Sequence, residues 1–286
     1  MTSRSINTLV EDIHSVLEGK GGWDEAVAEH FNVAVDNLMD VRLNTSRPSG
    51  PGTLRMSNIG QPCARKLWYH VQGTDSEELQ PSARLKFLYG DIIEEVLLSL
   101  AEAAGHDVQG RQDELYVGSI KGHRDGVIDG MLVDVKSAST FGYKKFKEGH
   151  LKDDDPFGYI SQLSGYLLAS QDDPLVTNKK EAAFLVMDKQ HGHICLDVYN
   201  LEEEMRELPA QIEWRKSMVA KPTPPFRLFS DVPQSKTSPN RKLPTNCSYC
   251  GYKKECWPEA RKFIYSHGPE YLTKVVKTPK VPEVPL

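Results

Sequence analysis

The feature that most restricts the fold is a run of three short strand-like segments flanked by helices. Alternating apolar residues and Gly-containing turns indicate strands, whereas longer 3.6-residue periodicity indicates the flanking helices. In chain order the sequence predicts a helix over 83–104, strands over 107–117, 120–128 and 131–136, helices over 140–148 and 157–170, strands over 182–187 and 193–199, and a helix over 201–219. This order predicts an α/β fold with a mixed central sheet flanked by helices.

The remaining segments set the expected domain organisation. Helices are predicted over 6–18 and 23–42, a loop over 44–53, a short helix opened by Pro62 and another helix over 258–265. The proline-rich stretch 222–244 is expected to be irregular and the tail disordered. The predicted divisions are an N-terminal helical segment with linker (1–53), a core (54–220), a cysteine-rich region (221–268) and a disordered tail (269–286).

Composition and charge exclude several classes of protein. The chain has 286 residues, of which 39% are hydrophobic and 26% charged, so it can bury a sizeable core. Its formal net charge of −5 argues against a wholly basic DNA-coating protein but allows a local basic cleft. No apolar run approaches the roughly 20 residues of a membrane span, and the N-terminus does not resemble a signal peptide. We therefore expect a soluble, intracellular protein without a membrane partner.

The predicted hairpin contains two carboxylates and a lysine. Asp134 and Lys136 project from the same face of one strand, and Asp125 on the preceding strand can lie opposite them. Carboxylate oxygens are hard ligands that suit Mg²⁺ or Mn²⁺. A bound cation would supply Lewis acidity, and Lys136 could orient water or stabilise charge at phosphorus. Asp-x-Lys alone is also common on solvated strand faces.

Two helices carry further polar candidates. In the 83–104 helix, Glu94 lies away from the apolar stripe, on a face with the small residues Gly90 and Ala101. That face could approach another element closely, although a solvated acidic face explains the periodicity equally well. Gln162 and Tyr166 share a face at i and i+4 of the 157–170 helix, where they could contact a phosphate or Lys136 or simply be surface residues. The predicted apolar stripe consists of Leu85, Leu88, Tyr89, Ile92, Ile93, Val96, Leu97 and Leu100.

Three of the five cysteines fall within ten residues, as Cys247-x2-Cys250-x5-Cys256. Such a density of thiols indicates metal or iron–sulfur ligation, and an odd number of cysteines without a secretion signal argues against a disulfide framework. Cys195 lies in a strand-like run and is expected to be a small buried apolar residue.

The order of these motifs resembles that of RecB-type nucleases of the PD-(D/E)xK superfamily. In that family, Gly-x-x-x-(His/Glu) on a helix precedes Gly-x-x-Asp and (Asp/Glu)-x-Lys on strands and Gln-x-x-x-Tyr on a helix. The matching positions here are Gly90 and Glu94, Gly122 and Asp125, Asp134 and Lys136, and Gln162 and Tyr166. This chain has Glu94 where the family usually has His, as in relatives among phage exonucleases, and Asp134 where many members have Glu. The resemblance covers roughly residues 54–260.

The resemblance implies a restriction-endonuclease-like core and a set of functional residues. It implies that Glu94, Asp125 and Asp134 bind Mg²⁺ or Mn²⁺, with Lys136 as the catalytic lysine. Gln162 and Tyr166 are implied as further catalytic residues.

The spacing of cysteines around the core is similar to that of the iron–sulfur branch of the family. This branch includes the AddB nuclease domain and the CRISPR-associated RecB-like exonucleases. The resemblance implies that Cys63, Cys247, Cys250 and Cys256 hold a [4Fe–4S] cluster. A structural Zn²⁺ with four thiolate ligands is the alternative, although zinc ribbons usually pair two short Cys-x2-Cys knuckles.

The implied function is a metal-dependent DNA exonuclease that processes DNA ends in recombination, repair or replication. Its expected partners are DNA with a free or single-stranded end and a recombination or replication protein, in the bacterial cytoplasm, with a bacterial or phage gene as the source. Arg65, Lys66, Lys144 and Lys145 are the candidate phosphate contacts, with solvated charged faces as the alternative. The alternative functions are a structure-specific or restriction-like endonuclease, a non-catalytic DNA-binding iron–sulfur subunit and a zinc-bound scaffold.

Overall fold

The computed structural model describes residues 4–44 and 50–286. Most predicted helices are present, with ends that differ by a few residues. The helices are α1 Leu9–Ser15, α2 Glu25–Asn44, α3 Met56–Ile59, α4 Ala64–Val71, α5 Pro81–Ala103, α6 Thr140–Lys147, α7 Tyr159–Ala169, α8 Glu202–Val219, α9 Thr245–Ser248 and α10 Lys253–Cys256. Part of the predicted 44–53 loop, residues 45–49, lies outside the described residues. No helix of the described ranges is both long and apolar enough to cross a membrane.

The strands differ more from the prediction, because two predicted strands are each broken in two. The strands are β1 Val108–Gln109, β2 Glu114–Val117, β3 Ile120–His123, β4 Gly126–Ile128, β5 Met131–Ala138, β6 Glu181–Asp188, β7 Ile194–Asn200, β8 Val232–Pro233, β9 Arg241–Lys242, β10 Arg261–Tyr265, β11 Gly268–Lys274 and β12 Glu283–Val284. They belong to two compact units. Of the described residues, unit 1 contains 4–44, 54–61 and 80–214, and unit 2 contains 50–53, 62–79 and 215–286.

Unit 1 is built on a mixed five-stranded sheet with the order β1-β4-β5-β6-β7. β5 and β6 are parallel, whereas β1 with β4, β4 with β5, and β6 with β7 are antiparallel. The parallel pair requires a long crossover, which α6 and α7 provide. The predicted α/β class, with a mixed sheet flanked by helices and preceded by N-terminal helices, is confirmed.

Both faces of the central strands are buried, and alternate residues belong to different cores. Leu132 and Phe184 pack with Leu163 of α7 on one face. Val133 and Leu185 pack on the other face with helices α1 and α5. This period of two places Asp134 and Lys136 on the face that contains Leu132.

The apolar stripe predicted for α5 is only half correct. Leu85 and Tyr89 are 66% and 45% exposed, whereas Ile93 and Leu97 are buried with Leu98. Periodicity identifies a helix but not the length over which the sheet covers it. Only the second half of α5 contributes to the core that contains β5 and β6.

Unit 2 corrects two predictions for the C-terminal part of the chain. The segment predicted as a helix over 258–265 contains β10, which pairs with β11 and β12 in a sheet of order β12-β10-β11-β9-β8. The tail predicted to be disordered supplies β11 and β12. Alternation around Phe263, which is 1% exposed, favours a strand, and Gly268 with φ of +122° permits the turn into β11. The proline-rich stretch supplies the short strands β8 and β9.

Candidate functional site

The β4–β5 hairpin brings Asp125 beside Asp134 and Lys136. Asp129 and Gly130, with φ of 49° and 78°, form the two-residue turn, and both need the left-handed conformation of a tight hairpin. Asp125 immediately precedes β4, and its Oδ2 accepts a hydrogen bond of 2.7 Å from the backbone N–H of Val135. The register of the hairpin therefore positions the first carboxylate directly.

Asp134 is the most deeply buried carboxylate of the group, with 1% of its surface exposed. Lys136 contacts its Oδ2 as an ion pair, but neither carboxylate oxygen has a hydrogen-bond partner of regular geometry among the described residues. The Lys136 ammonium also lies over the ring of Tyr159, 5.2 Å from the ring centre. Burial lowers the pKa of Lys136, but Asp134 and Asp125 outweigh burial and raise it above its usual range.

The carboxylates of the group oppose one another's ionisation. Burial, followed by the charge of Asp134, raises the pKa of Asp125 to about 7. Burial, followed by the charge of Asp125, raises the pKa of Glu94 to about 9, and Lys136 offsets only part of this rise. Glu94 therefore belongs to the same electrostatic group as the hairpin residues. Such a group favours bound protons or a bound cation at neutral pH.

Glu94 and its neighbour Glu95 point to different surroundings. Glu94 Oε1 accepts a 2.6 Å hydrogen bond from Gln112 Nε2, whereas Glu95 Oε2 lies 3.6 Å from Nη1 of Arg111. Gly90, one turn earlier, lies so close to the sheet that a Cβ there would be 3.3 Å from the Ser137 hydroxyl. The face of α5 that contains Gly90 and Glu94 therefore lies toward the hairpin, which is the face that the sequence selected.

Gln162 and Tyr166 of α7 lie on the same side as Asp134. Gln162 Nε2 donates a 2.9 Å hydrogen bond to the Tyr166 hydroxyl. Burial and the nearby Asp134 charge raise the pKa of Tyr166 above its usual range. A Cβ at Gly122 would lie 2.6 Å from the Tyr166 ring, so this position must lack a side chain. The six residues predicted as one site are therefore brought together in unit 1.

Arg124 is a supporting residue that the sequence reasoning missed. It is 2% exposed, and its guanidinium pairs with Asp113 at 2.6 Å and with Asp173 at 2.5 Å. Its Nε also donates to the carbonyl of Gly110 at 3.1 Å. A fully buried arginine next to Asp125 fixes the backbone that carries this carboxylate. In the sequence Arg124 lies between Gly122 and Asp125, and no repeating pattern of residues there indicates a buried ion pair.

The donor types of the group fit a divalent cation. Carboxylate oxygens are what Mg²⁺ and Mn²⁺ prefer, and the buried Asp134 oxygens lack regular hydrogen bonds. As the side chains stand, no group of three or more His, Cys, Asp or Glu residues in the described ranges is arranged to hold a metal ion. Binding would therefore require Glu94, Asp125 and Asp134 to shift toward one ion.

A cleft of about 1300 Å³ in unit 1 reaches this group through Glu94. Helices α2 and α5 supply much of its wall, together with Arg55, Gln112 and His123. α2 belongs to the N-terminal segment to which the sequence assigns no role. Solvent and solutes can thus reach Glu94 from this side.

The four cysteines predicted as ligands all belong to unit 2. Burial, with smaller contributions from Cys256, Cys250 and Cys63, raises the pKa of Cys247 to about 11, although Trp257 opposes part of the rise. As their side chains stand, these cysteines, like the carboxylates, form no group of three or more in the described ranges that is arranged to hold a metal ion. The set of four thiols fits either an iron–sulfur cluster or zinc in donor chemistry. Cys195, by contrast, lies on β7 in unit 1 and packs against the core, although it is partly rather than fully buried.

The candidate phosphate contacts lie in different surroundings. Lys144 on α6 is exposed, whereas Lys145 is paired with the carboxylate of Asp154. Arg65 donates to the carbonyl of Pro225 at 2.9 Å and to the Tyr69 hydroxyl at 3.0 Å, both within unit 2. Lys66 lies close enough to the sulfur of Cys250 to influence its ionisation.

Comparison with known proteins identifies no family. No family model matches the chain, and no curated protein matches it. Among solved structures it is similar to the crystal structure of SSO0001, with a TM-score of 0.40 and 15% identity, covering 79% of this chain and 95% of that one. It is also similar to a phage-related exonuclease from Haemophilus somnus 129PT, with a TM-score of 0.40 and 16% identity, covering 58% and 91%.

Proposed function

We propose that this chain is a metal-dependent DNA exonuclease that acts on DNA ends. The observation that carries the proposal is the buried Asp134 carboxylate, which lies beside Lys136 and shares one electrostatic group with Asp125 and Glu94. Glu94, Asp125 and Asp134 would hold Mg²⁺ or Mn²⁺. The ion, when bound, supplies Lewis acidity and a lower pKa for its water.

Lys136 acts on the phosphate that is attacked. In hydrolysis, a water oxygen bonds to phosphorus, the bridging P–O bond breaks and the departing oxygen acquires a proton. Negative charge grows on the non-bridging oxygens meanwhile, and the Lys136 ammonium stabilises it. The Asp134 carboxylate and the Tyr159 ring keep this ammonium in place. Gln162 and Tyr166 offer a paired amide and hydroxyl that can bind a phosphate oxygen.

The first test measures hydrolysis of end-labelled linear DNA and of a covalently closed circle, with Mg²⁺ or Mn²⁺ and with chelator. An exonuclease degrades only the linear DNA, and chelator stops it. Cleavage of the circle would instead identify an endonuclease, and binding without cleavage a non-catalytic subunit.

The second test compares two buried aspartates of the same sheet. Asp134→Asn keeps the shape of the side chain but removes the charge, and should reduce hydrolysis about 10²–10³-fold. Asp197→Asn is the control, because Asp197 on β7 is buried but pairs with Tyr199 rather than with the hairpin residues. Full activity of the Asp134→Asn protein would exclude the proposed site.

We further propose that Cys63, Cys247, Cys250 and Cys256 hold a [4Fe–4S] cluster in unit 2, with structural Zn²⁺ as the alternative. The presence of four partly buried cysteines in one unit supports the proposal, because cysteine sulfurs are the ligands of both iron–sulfur clusters and structural zinc. Iron, sulfide and zinc analysis together with a visible absorption spectrum distinguishes the two metals. A recombination or replication protein remains the proposed partner.

A further inference from the structure

Phe157 is a large apolar side chain on the surface of unit 1, with 65% of its surface exposed. It lies two residues before α7, the helix that carries Gln162 and Tyr166. A single exposed apolar residue is ordinary on protein surfaces. The ring of Phe157, however, stacks on that of Tyr159, with 5.4 Å between the ring centres and 29° between the planes. Because Tyr159 packs against the core, Phe157 extends the aromatic packing of the core to the solvent.

Tyr159 connects Phe157 to the carboxylate group. The Lys136 ammonium lies over the Tyr159 ring, 5.2 Å from the ring centre. One aromatic ring therefore separates Phe157 from the ammonium to which we assign the attacked phosphate. In a nucleic acid strand, the bases on either side of a phosphate belong to the two nucleotides that this phosphate joins. A base at Phe157 is thus compatible with a phosphate at Lys136.

The backbone on both sides of Phe157 is fixed by contacts within unit 1. The Asp155 carboxylate accepts hydrogen bonds of 2.9 Å from the backbone N–H groups of Gly158 and Ile160. Gly158 has a φ of +75°, and a Cβ there would overlap the carbonyl oxygen of Gly60. The exposed ring therefore projects from an ordered segment. A ring held in this way loses little conformational freedom when it binds a flat partner.

The acidic side chains that precede Phe157 have partners of their own. Asp153 lies 3.0 Å from Nδ1 of His150, and Asp154 forms an ion pair with Lys145. The carboxylate of Asp155 is engaged by backbone N–H groups, as described above. Few unpaired negative charges beside Phe157 therefore oppose the approach of a phosphate backbone.

We propose that Phe157 is the stacking residue of a subsite that binds an unpaired nucleobase of the DNA strand whose phosphate lies at Lys136. The inference rests on the proposed nuclease function and specifies the form of DNA that the site binds. Aromatic side chains bind single-stranded nucleic acids by stacking on the bases, with little dependence on sequence because every base has a π face. Within a duplex both faces of each base are already stacked, so the subsite selects a single strand or an unwound end.

The test measures equilibrium binding of the full chain to a short fluorescent single strand and to a covalently closed duplex circle, with chelator present so that neither is cut. Phe157→Ala should raise the Kd for the single strand about tenfold and leave the Kd for the circle unchanged. Phe157→Tyr keeps an aromatic ring and should bind the strand like wild type. Phe87→Ala is the matched control and should also bind like wild type, because Phe87 is 48% exposed but lies on the first half of α5.

A set of strands that each lack one base tests whether Phe157 contacts a base. Wild type and Phe157→Ala should bind equally well to the strand whose missing base is the one that stacks, because the contact is then absent from both complexes. A tenfold loss that persists on every strand of the set would mean that Phe157 contacts the backbone, and would overturn the inference. Equal affinity of the two proteins for the intact strand would overturn it as well.

Hydrolysis of linear DNA by the wild-type chain tests the proposed function separately. If wild type cuts DNA and Phe157→Ala binds the intact strand as tightly as wild type, this inference alone is wrong. Binding with the expected loss but without hydrolysis would support the subsite and contradict the nuclease. A wild-type chain that neither binds nor cuts DNA would contradict both. If the melting temperature shows that Phe157→Ala is misfolded, Phe157→Leu takes its place, because leucine keeps an apolar side chain without a π face.

Discussion

The carboxylate group of unit 1 and the cysteine group of unit 2 both place several acidic side chains out of water, but different structures hold the two groups. Both gather acidic side chains whose ionisation burial opposes, with a pKa near 7 for Asp125 and near 11 for Cys247. In unit 1 a paired hairpin sets the positions, and Lys136 supplies the compensating charge from the same strand. In unit 2 the residues come from distant parts of the chain, and helices α9 and α10 around them have only four residues each.

The comparison teaches that the two groups should respond differently to the loss of one member. Backbone pairing maintains the hairpin whether or not a cation is bound. The cysteine group has less regular structure around it, so its geometry would depend more on the proposed metal or cluster. Substitutions in unit 1 should therefore change chemistry, and substitutions of the cysteines should change stability.

The largest effect is expected for the loss of a cysteine ligand. Cys63→Ala and Cys250→Ala should be colourless and less stable by about 4–5 kcal/mol, because a cross-link over this length of chain restricts the unfolded state strongly. Proteolysis should then begin near residue 230, beside the exposed Phe226. Iron content and melting temperature check the prediction. Cys195→Ala is the control and should keep its iron; the reverse result would mean that Cys195 is a ligand.

The next largest effect is expected for Lys136→Gln. Hydrolysis should fall about 10²–10³-fold, because the charge that stabilises the attacked phosphate is lost. Cluster colour and iron content should not change, which would separate the chemistry of unit 1 from the ligand of unit 2. Cleavage rates at saturating Mg²⁺ test this, with Lys147→Gln as a control, because Lys147 is exposed at the end of α6. Equal rates in the two variants would contradict the role of Lys136.

A third prediction concerns Asp197, a carboxylate whose pKa is raised by burial and not by a neighbouring negative charge. Burial raises the pKa of Asp197 to about 6, although Tyr199 opposes the rise with a hydrogen bond of 2.5 Å. The pKa of Asp197 is higher in the folded chain than the value of 3.8 taken for the unfolded chain. Its contribution to the free energy of unfolding is therefore fully present below pH 3.8 and is lost as pH rises through about 6.

Asp197→Asn should therefore stabilise the chain above pH 7, by up to about 3 kcal/mol, and have little effect near pH 4. Urea denaturation at the two pH values measures the difference. A stabilisation that does not depend on pH would mean that ionisation of Asp197 is not responsible.

The smallest effect compares two adjacent glutamates of α5. Glu94→Gln should weaken the apparent affinity for Mg²⁺ about tenfold, because it removes one charged ligand from the carboxylate group. Glu95→Gln should have a smaller effect, because Glu95 lies near Arg111 and influences the pKa of Glu94 and Asp125 only through its charge. Titration of hydrolysis with Mg²⁺ gives both values. The opposite order would place the helix register one residue away.

Much of unit 1 was predictable because its signals are local. Strands with a period of two, the Gly-containing turns and the order of the helices specify the α/β class and the register of Asp134 with Lys136. The position of Glu94 was not decided by periodicity alone, because its spacing is compatible with a buried or a solvated face of the helix. The family motif was needed to select it. Arg124 was missed because ion pairs with Asp113 and Asp173 leave no pattern along the chain.

Unit 2 was predicted less well because three strands of its sheet, β8, β9 and β12, have only two residues each, too few to show a period of two along the chain. The residues of β10 suit a helix or a strand, and the pairing of β11 and β12 decides between them. Leu85 and Tyr89 show the same limit in unit 1, since their exposure depends on which part of α5 the sheet covers.

The sequence by itself determined the residue types, their order and their spacing, and hence the α/β class and the candidate carboxylates, lysine and cysteines. Tertiary structure alone decided that Tyr166 fits against Gly122, that Glu94 bonds to Gln112 whereas Glu95 lies near Arg111, and that only the second half of α5 is buried in the core. The physical reason is that periodicity records the local geometry of the backbone. Burial and charge interactions arise only between segments that the fold brings together.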